Sequence, residues 1–201
     1  NVVGVEPTGT FRFAKQKGIQ TINEFFNQKS ANHLIKKFGK AKLVTTTNVF
    51  AHTGELKEFI LGLKIILDNK GTFVVENHYL KEIIQKAQFD SFYHEHLRTY
   101  SLKSLIKLMN MYKINIIDAY TTERYNGNIQ AHFSIDKKIN SRRVKKILEI
   151  EKRTGLDKIN TYEKFLKKID KAKSDLEKFL INKKSAIIVG KAFPARASVI
   201  L

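Results

Sequence analysis

Short runs of apolar and β-branched residues alternate along the first half of the chain with stretches in which apolar residues recur at helical spacing. This alternation is typical of βαβ units arranged around a parallel sheet. Ser30 is placed to cap the second helix, and Gly18 and Gly39 are placed to end the first two. The pattern predicts strands at residues 2–6, 19–22, 42–47 and 71–76 and helices at residues 10–17, 30–38 and 55–67.

The second half of the chain predicts a different order of elements. A helix capped by Ser101 is predicted first, and two β-rich runs at residues 115–122 and 128–135 follow it. A Tyr-Asn-Gly turn joins these runs, which favours an antiparallel hairpin that closes the sheet. Residues 141–183 are rich in Lys and Glu and predict a helical connector with a break near Gly155.

These elements predict three parts. Residues 1–140 form an α/β domain with a Rossmann-like parallel sheet and a terminal antiparallel hairpin. Residues 141–184 form the helical connector, and residues 185–201 begin a second α/β unit. The final part predicts a strand followed by a phosphate-binding loop that contains Gly190 and Arg196. Because each end lacks strands that such units normally have, we expect the chain to be part of a longer protein.

Composition narrows the classes of function. No apolar run approaches the roughly 20 residues that span a bilayer, and no basic leader with a long apolar region opens the chain. The absence of cysteine excludes disulfides and thiolate metal sites and fits a reducing cytosol, so a cytoplasmic protein is expected. The sequence suggests no metal ligands.

The net charge of +18 raises the question of a polyanionic partner. Clustered cations bind nucleic acid, but only seven of the 37 basic residues are Arg, the side chain best suited to bidentate phosphate or guanine contacts. Most of the excess is therefore interpreted as solvated surface charge. The remainder favours a ligand such as a nucleotide diphosphate.

The segment YHEH at residues 93–96 is the strongest candidate for chemistry. It brings a phenol, two imidazoles and a carboxylate together just beyond the predicted strand at residues 71–76. Open α/β sheets bind ligands beyond the carboxyl ends of their strands. Imidazole titrates near neutrality, so this segment suits proton transfer, although a solvated loop or a pair of packed histidines is the simpler alternative.

Two other predicted strand ends carry polar groups. Glu6 follows the first strand and can accept hydrogen bonds from two ribose hydroxyls, or it can be an ordinary surface carboxylate. Asn48 and His52 leave the third strand, where they can contact a cofactor or serve as turn residues. We expect Glu6, Asn48 and His52 to lie together at the carboxyl edge of one parallel sheet.

The order of these segments resembles the sugar C-methyltransferases, which use S-adenosylmethionine to methylate nucleotide-linked deoxysugars. The resemblance runs through VVGVEP, the stretch at residues 17–26, NVFAH, residues 73–80, YHEHLRTYSL and the final GKAFPARASVIL. It covers nearly the whole chain, and YHEH with its spacing from NVFAH is its most specific part. It implies the Rossmann-like fold of class I methyltransferases.

The resemblance also implies roles for individual residues. Glu6 would bind the ribose, Phe25 or Phe26 would lie beside the adenine, and Asn48 with His52 would lie beside the methionine part of the cofactor. The catalytic segment would comprise Tyr93, Glu95 and His96. A ketosugar loses the proton next to its carbonyl in this family, and the enolate takes the methyl group. His96 is the expected base, whereas His94 is expected to point away by the alternation of an extended segment.

The phosphate-type loop with Gly190 and Arg196 is expected to bind the nucleotide-sugar substrate. The family's zinc-binding module and glycine-rich cofactor turn have no counterpart here, so zinc is expected only in a module outside this sequence. Two alternatives stay open: a methyltransferase with another small-molecule acceptor, and a basic nucleic-acid-binding module without catalysis. The second is less expected because the aromatic residues fall on predicted core faces rather than between lysines.

Overall fold

The computed structural model describes residues 2–139, 141–183 and 187 of the chain. In chain order its elements are β1 (Gly4–Val5), α1 (Phe11–Gln16), β2 (Thr21–Ile22), α2 (Gln28–Phe38), β3 (Ala41–Thr47), α3 (Leu56–Ile66), β4 (Leu67–His78), α4 (Leu80–Gln85), α5 (Leu102–Met111), β5 (Asn115–Thr122), β6 (Asn128–Ser134), α6 (Arg142–Thr154) and α7 (Ile159–Ile181). Short 3-10 helices occupy Phe89–Ser91 and Arg124–Asn126.

The strands form two hydrogen-bonded sheets. β1 and β2 pair in parallel with each other, and the larger sheet has the order β3-β4-β6-β5. β3 and β4 are parallel, whereas β6 runs antiparallel to both β4 and β5. The predicted α/β class and the terminal hairpin are confirmed. The expectation of a single sheet is wrong for the described residues, because β1 and β2 are two residues each and hydrogen-bond only to one another.

One face of the larger sheet is covered by α3 and α5. Alternate residues of a strand point to opposite faces, so Phe73 and Val75 of β4 and Phe133 of β6 share the covered side. All three are buried against α3 and α5, together with Leu63 and Leu105 of those helices. The central strands are thereby fixed in place, and their ends can hold side chains in defined positions.

A second hydrophobic cluster joins the two sheets through helices. Val5 and Ile22 of the small sheet pack with Leu34 of α2, Ile66 of α3 and Val44 of β3. α2 and α3 approach closely at Gly62, where a β-carbon added to the glycine would lie 2.7 Å from the carbonyl oxygen of Asn27. Glycine is therefore required at this crossing for steric reasons.

The helix ends show how local sequence sets the element boundaries. Asn27 rather than Ser30 caps α2; the Asn27 side chain accepts from the Ser30 backbone, and the Ser30 hydroxyl accepts from the Asn27 N–H, a reciprocal capping box. The predicted cap is three residues too late because both residues belong to one motif. Ser101 caps α5 as predicted, and Gly155 ends α6 in the left-handed conformation that glycine adopts readily.

Candidate active site

The carboxyl ends of β3 and β4 are joined directly. Thr47 pairs with Glu76 in the parallel ladder, and the next amide, that of Asn48, donates to the Glu76 carbonyl across 2.8 Å. Asn48 has a positive φ of 53°, a conformation that asparagine tolerates better than most residues. The chain therefore turns sharply at Asn48, and the loop that carries His52 begins at the sheet edge.

His96 lies in the loop between the 3-10 helix Phe89–Ser91 and α5. Its Nδ1 is 2.8 Å from the carbonyl oxygen of Ser91. A carbonyl oxygen only accepts, so Nδ1 carries a hydrogen and donates it. In the neutral ring the lone pair is then on Nε2, which is the tautomer that a proton-accepting histidine needs.

Three aromatic or imidazole rings surround His96. The ring centroids of Tyr93 and His52 lie 4.5 and 4.7 Å from that of His96, and the ring of His78 lies 5.5 Å away at a right angle. The structure thus brings together residues from three segments, the YHEH turn, the loop after β3 and the last residue of β4. His52, which the sequence analysis placed beside the cofactor, and Tyr93 and His96, which it placed in the catalytic segment, lie in this one cluster.

The YHEH segment is a turn and not an extended run. The amide of His96 donates to the carbonyl of Tyr93 across 2.9 Å. His94 is exposed and lies 3.9 Å from the exposed carboxylate of Glu95. His94 does point outward as expected, but turn geometry explains this and alternation along a strand does not. The carbonyl that orients His96 belongs to Ser91.

Two side chains attach the His96 loop to the loop after β3. The Arg98 guanidinium donates to the carbonyls of Thr53 and Gly54. The Tyr100 hydroxyl is 3.5 Å from the carbonyl of Phe50, and burial raises the pKa of Tyr100 to about 12. The loops that bear His52 and His96 are therefore held to each other by these two side chains.

The sequence alone did not point to Glu76, His78 or Tyr125. Glu76 is 3% exposed, and its carboxylate accepts from Asn128 Nδ2 and Gln130 Nε2, both at 2.9 Å. His78, two residues later on the same strand face, also contacts the Tyr125 ring at 5.7 Å. The sequence after Val75 holds the signal that could have identified two of them. Extending the predicted strand from Glu76 to His78 puts these two residues on the same strand face.

The turn between β5 and β6 adds to this side of the cluster. Tyr125 and Asn126 both have positive φ values, 50° and 66°, which non-glycine residues adopt rarely and which concentrate at functional sites. Arg124 Nη1 lies 3.7 Å from the Glu76 carboxylate. The turn therefore places a phenol and a guanidinium next to His78 and Glu76.

The predicted cofactor residues of the N-terminal region follow the two strands of the smaller sheet. Glu6 follows β1, and its carboxylate accepts from the Thr8 amide at 2.8 Å. Hydrogen bonds from Thr8 hold the pKa of Glu6 below its usual value, so the group is a carboxylate at neutral pH. Phe25 is largely exposed, whereas Phe26 packs on Phe59 of the core at 4.9 Å. Of the two rings, Phe25 is the one available to a ligand.

Gly190 and Arg196 lie outside the described residues, as does nearly all of the predicted second α/β unit. Within the described ranges, no three His, Cys, Asp or Glu side chains are grouped so as to hold a metal ion. None of the helices in this part of the chain is long and apolar enough to cross a membrane.

Parts of the chain are similar in sequence to known proteins. A family model described as the C-methyltransferase C-terminal domain matches residues 126–201. The C-methyltransferase NovU of Streptomyces niveus is 33% identical over 129 residues, which are 64% of this chain and 31% of that protein. The chain therefore spans about a third of the length of this curated relative.

Solved structures extend the comparison to the fold. A SAM-dependent methyltransferase of Thermotoga maritima, described as a possible histamine N-methyltransferase, superposes with a TM-score of 0.51 and 11% identity over 67% of this chain and 72% of that one. LepI in complex with SAM gives a TM-score of 0.51 with 12% identity over 67% of this chain and 36% of that one. At these identities the likeness concerns the fold alone.

The chain thus has the Rossmann-like α/β fold of these solved structures, with polar loops at the carboxyl ends of β3 and β4. Over the matched segments, the sequence of the chain is similar to those of C-methyltransferases.

Proposed function

We propose that this protein transfers a methyl group from S-adenosylmethionine to a carbon atom of a nucleotide-linked ketosugar, with His96 as the base. The observation that carries the proposal is the contact between His96 Nδ1 and the Ser91 carbonyl, which leaves Nε2 as the proton acceptor in a cluster with Tyr93, His52 and His78. The similarity to the C-methyltransferase C-terminal domain and to the C-methyltransferase NovU supports transfer to carbon.

His96 would remove the proton from the carbon next to the substrate carbonyl. The electrons of that C–H bond form an enolate, and its oxygen gains negative charge. A phenol can donate a hydrogen bond to such an oxygen, and Tyr93 lies next to His96 for this role. The enolate carbon then forms the new C–C bond as the methyl carbon separates from sulfur. The proton remains on His96 until water removes it.

Several described residues fit a bound S-adenosylmethionine, which supplies an electrophilic methyl group on a cationic sulfur. Glu6 is a carboxylate at the end of a strand, where it can accept from ribose hydroxyls. The exposed Phe25 ring can lie against an adenine. Asn48 and His52 begin the loop next to His96, which suits contacts near the transferred methyl group.

The nucleotide-sugar part of the proposal rests on the motifs YHEH and NVFAH and on the phosphate-type loop with Gly190 and Arg196. The net charge of +18 favours a substrate that carries phosphates. In this proposal the cofactor domain comprises residues 1–140, and the helical connector comprises residues 141–184. The substrate-binding unit begins with residues 185–201. We place the protein in the cytoplasm because the sequence has no cysteine.

A methyltransferase with a different small acceptor is the second candidate. The observation that favours it is the turn at Arg124 and Tyr125, which places a cation and a phenol beside His78. These groups can also recognise a smaller anionic or aromatic acceptor.

Two measurements test the proposal. Calorimetry with S-adenosylhomocysteine should show binding, and turnover of a panel of nucleotide-linked ketosugars should show which one gains a methyl group. Methylation of a non-sugar acceptor alone would select the second candidate. Salt-sensitive binding of oligonucleotides without S-adenosylhomocysteine binding would overturn both in favour of a nucleic-acid-binding protein.

A further inference from the structure

The loop that carries His96 is attached at both ends to the helices that follow the sheet. At its beginning, the Phe92 ring packs against the Phe165 ring of α7 with centroids 6.0 Å apart. Phe165 is buried in a small cluster with Ile83 and Ile84 of α4. The first residue of the loop is therefore in contact with α7.

At the end of the loop, the contact is made by a buried carboxylate of α6. Glu151 is 3% exposed, and its two oxygens accept from the backbone amides of Leu102 at 2.6 Å and Lys103 at 3.0 Å. These amides form the first turn of α5, which begins directly after Tyr100 and Ser101. Glu151 thus fixes the point at which the loop becomes a helix.

Glu151 differs from the other acidic residues of α6 and α7. All of those are exposed, whereas Glu151 is buried and has no solvent to stabilise its charge. The backbone amides and the positive end of the α5 dipole replace that solvent. Burial first, and the charge of Glu151 second, raise the pKa of the Tyr79 phenol. The backbone of Tyr79 forms an isolated β-bridge with Tyr100 of the His96 loop. Glu151 is therefore linked to the loop through Tyr79 as well as through the amides of α5.

We propose that Glu151 is a positioning residue for the His96 loop, and that α6 and α7 together set the geometry of the active site. The role of the loop in catalysis rests on the proposed function; the positioning itself does not. Any event that shifts the two helices would then move His96 relative to His52 and His78.

Glu151→Gln tests the contact, because an amide group can accept from one backbone N–H but presents its own donor to the other. Glu149→Gln, an exposed position on the same helix, is the matched control. The readout is the set of ring signals of the six histidines in isotope-labelled protein, assigned by single substitutions. We expect the His96 signals to shift in Glu151→Gln and not in Glu149→Gln, while those of His33 on α2 stay unchanged.

Unchanged His96 signals in a folded Glu151→Gln protein would overturn the proposal. If Glu151→Gln does not fold, Phe165→Leu makes the same test from the other end of the loop with a side chain that still fills the cluster, and unchanged His96 signals there count equally against it. Activity gives a separate readout. Turnover in Glu151→Gln should fall roughly 10- to 100-fold with little change in S-adenosylhomocysteine affinity. If the His96 signals shift in Glu151→Gln but the wild-type protein transfers no methyl group, the proposed function is contradicted and the positioning role of Glu151 is supported.

Discussion

The imidazole of His96 donates its Nδ1 hydrogen to the carbonyl oxygen of Ser91 across 2.8 Å. Because the acceptor belongs to the backbone of a buried residue, the tautomer of His96 is set by the fold and not by a mobile side chain. The Ser91 contact therefore leaves the lone pair of the neutral ring on Nε2, as the proposed role of His96 as a base requires.

The first prediction concerns the two histidines of the YHEH turn. His96→Ala should lower turnover by roughly 100- to 10,000-fold, the range expected for loss of a general base, while S-adenosylhomocysteine affinity changes little. His94→Ala is the matched control, and its effect should be mild because the ring is exposed. Steady-state kinetics and calorimetry on both variants provide the comparison. Equal losses in the two variants would contradict the assignment.

The second prediction concerns Glu6, the carboxylate proposed to bind the cofactor ribose. Glu6→Gln should weaken S-adenosylhomocysteine binding by roughly 10- to 100-fold. The reason is that a neutral amide accepts hydrogen bonds from ribose hydroxyls less strongly than a carboxylate does. Glu24→Gln is the control, since Glu24 is exposed and lies near His33 on the outer surface. Calorimetric titration measures both. Wild-type affinity in Glu6→Gln would remove Glu6 from the cofactor site.

The third prediction concerns the crossing of α2 and α3. Gly62→Ala places a methyl group 2.7 Å from the carbonyl oxygen of Asn27, which belongs to the backbone and cannot rotate away. Alanine favours a helix by about 1 kcal/mol over glycine, yet we expect net destabilisation by about 1–3 kcal/mol because the helices must separate. Urea unfolding measures the difference, with Gly9→Ala, where the space is open, as the control. A stabilised Gly62→Ala protein would show that the crossing tolerates a side chain.

The fourth prediction concerns the attachment of α6 to β5. Arg143 and Ser141 donate to Asp118, and the Arg143 hydrogen bond, followed by the Ser141 one, holds the pKa of Asp118 below its usual value despite partial burial. A carboxyl group whose pKa is lower in the folded protein stabilises it above the unfolded pKa, near 4, and this stabilisation disappears as the pH falls through the folded pKa.

Arg143→Gln should therefore be less stable than wild type at pH 6, and the difference should shrink progressively below about pH 4. Denaturant unfolding at pH 6 and pH 3 tests this, with Arg142→Gln as the neighbouring control. A difference between Arg143→Gln and wild type that is independent of pH would mean that the ion pair does not contribute through the charge of Asp118.

The sequence predicted most of the elements because their signals are local. Residues 115–122 alternate and precede a glycine turn, so the hairpin of β5 and β6 followed directly. The split between the sheets was not predictable in this way, since which edges pair is decided by contacts between segments far apart in the chain. β1 has only two residues, which are too few for a sequence pattern that would indicate the strand with which it pairs.

The residues of the candidate site also divide into those with a local sequence signal and those that only the fold brings together. His96 was found because four chemically active residues are adjacent, and His52 because it follows a strand. His78 was missed because the strand was ended at Glu76, and only the fold brings His78 against His96 and Tyr125. Glu151 was missed for a different reason: a glutamate in a Lys- and Glu-rich helix looks like all its neighbours until its burial is known.

The central claim is that His96 removes a proton from the carbon next to the substrate carbonyl, and proton exchange measures this step alone. The ketosugar is incubated with the protein and S-adenosylhomocysteine in deuterated water without methyl donor, and the loss of the α-proton signal is followed by NMR. We predict exchange with wild-type protein and with His94→Ala, and almost none with His96→Ala. Exchange that persists undiminished in His96→Ala would contradict this claim and transfer the role of base to another group of the cluster, with Tyr93 the first to test.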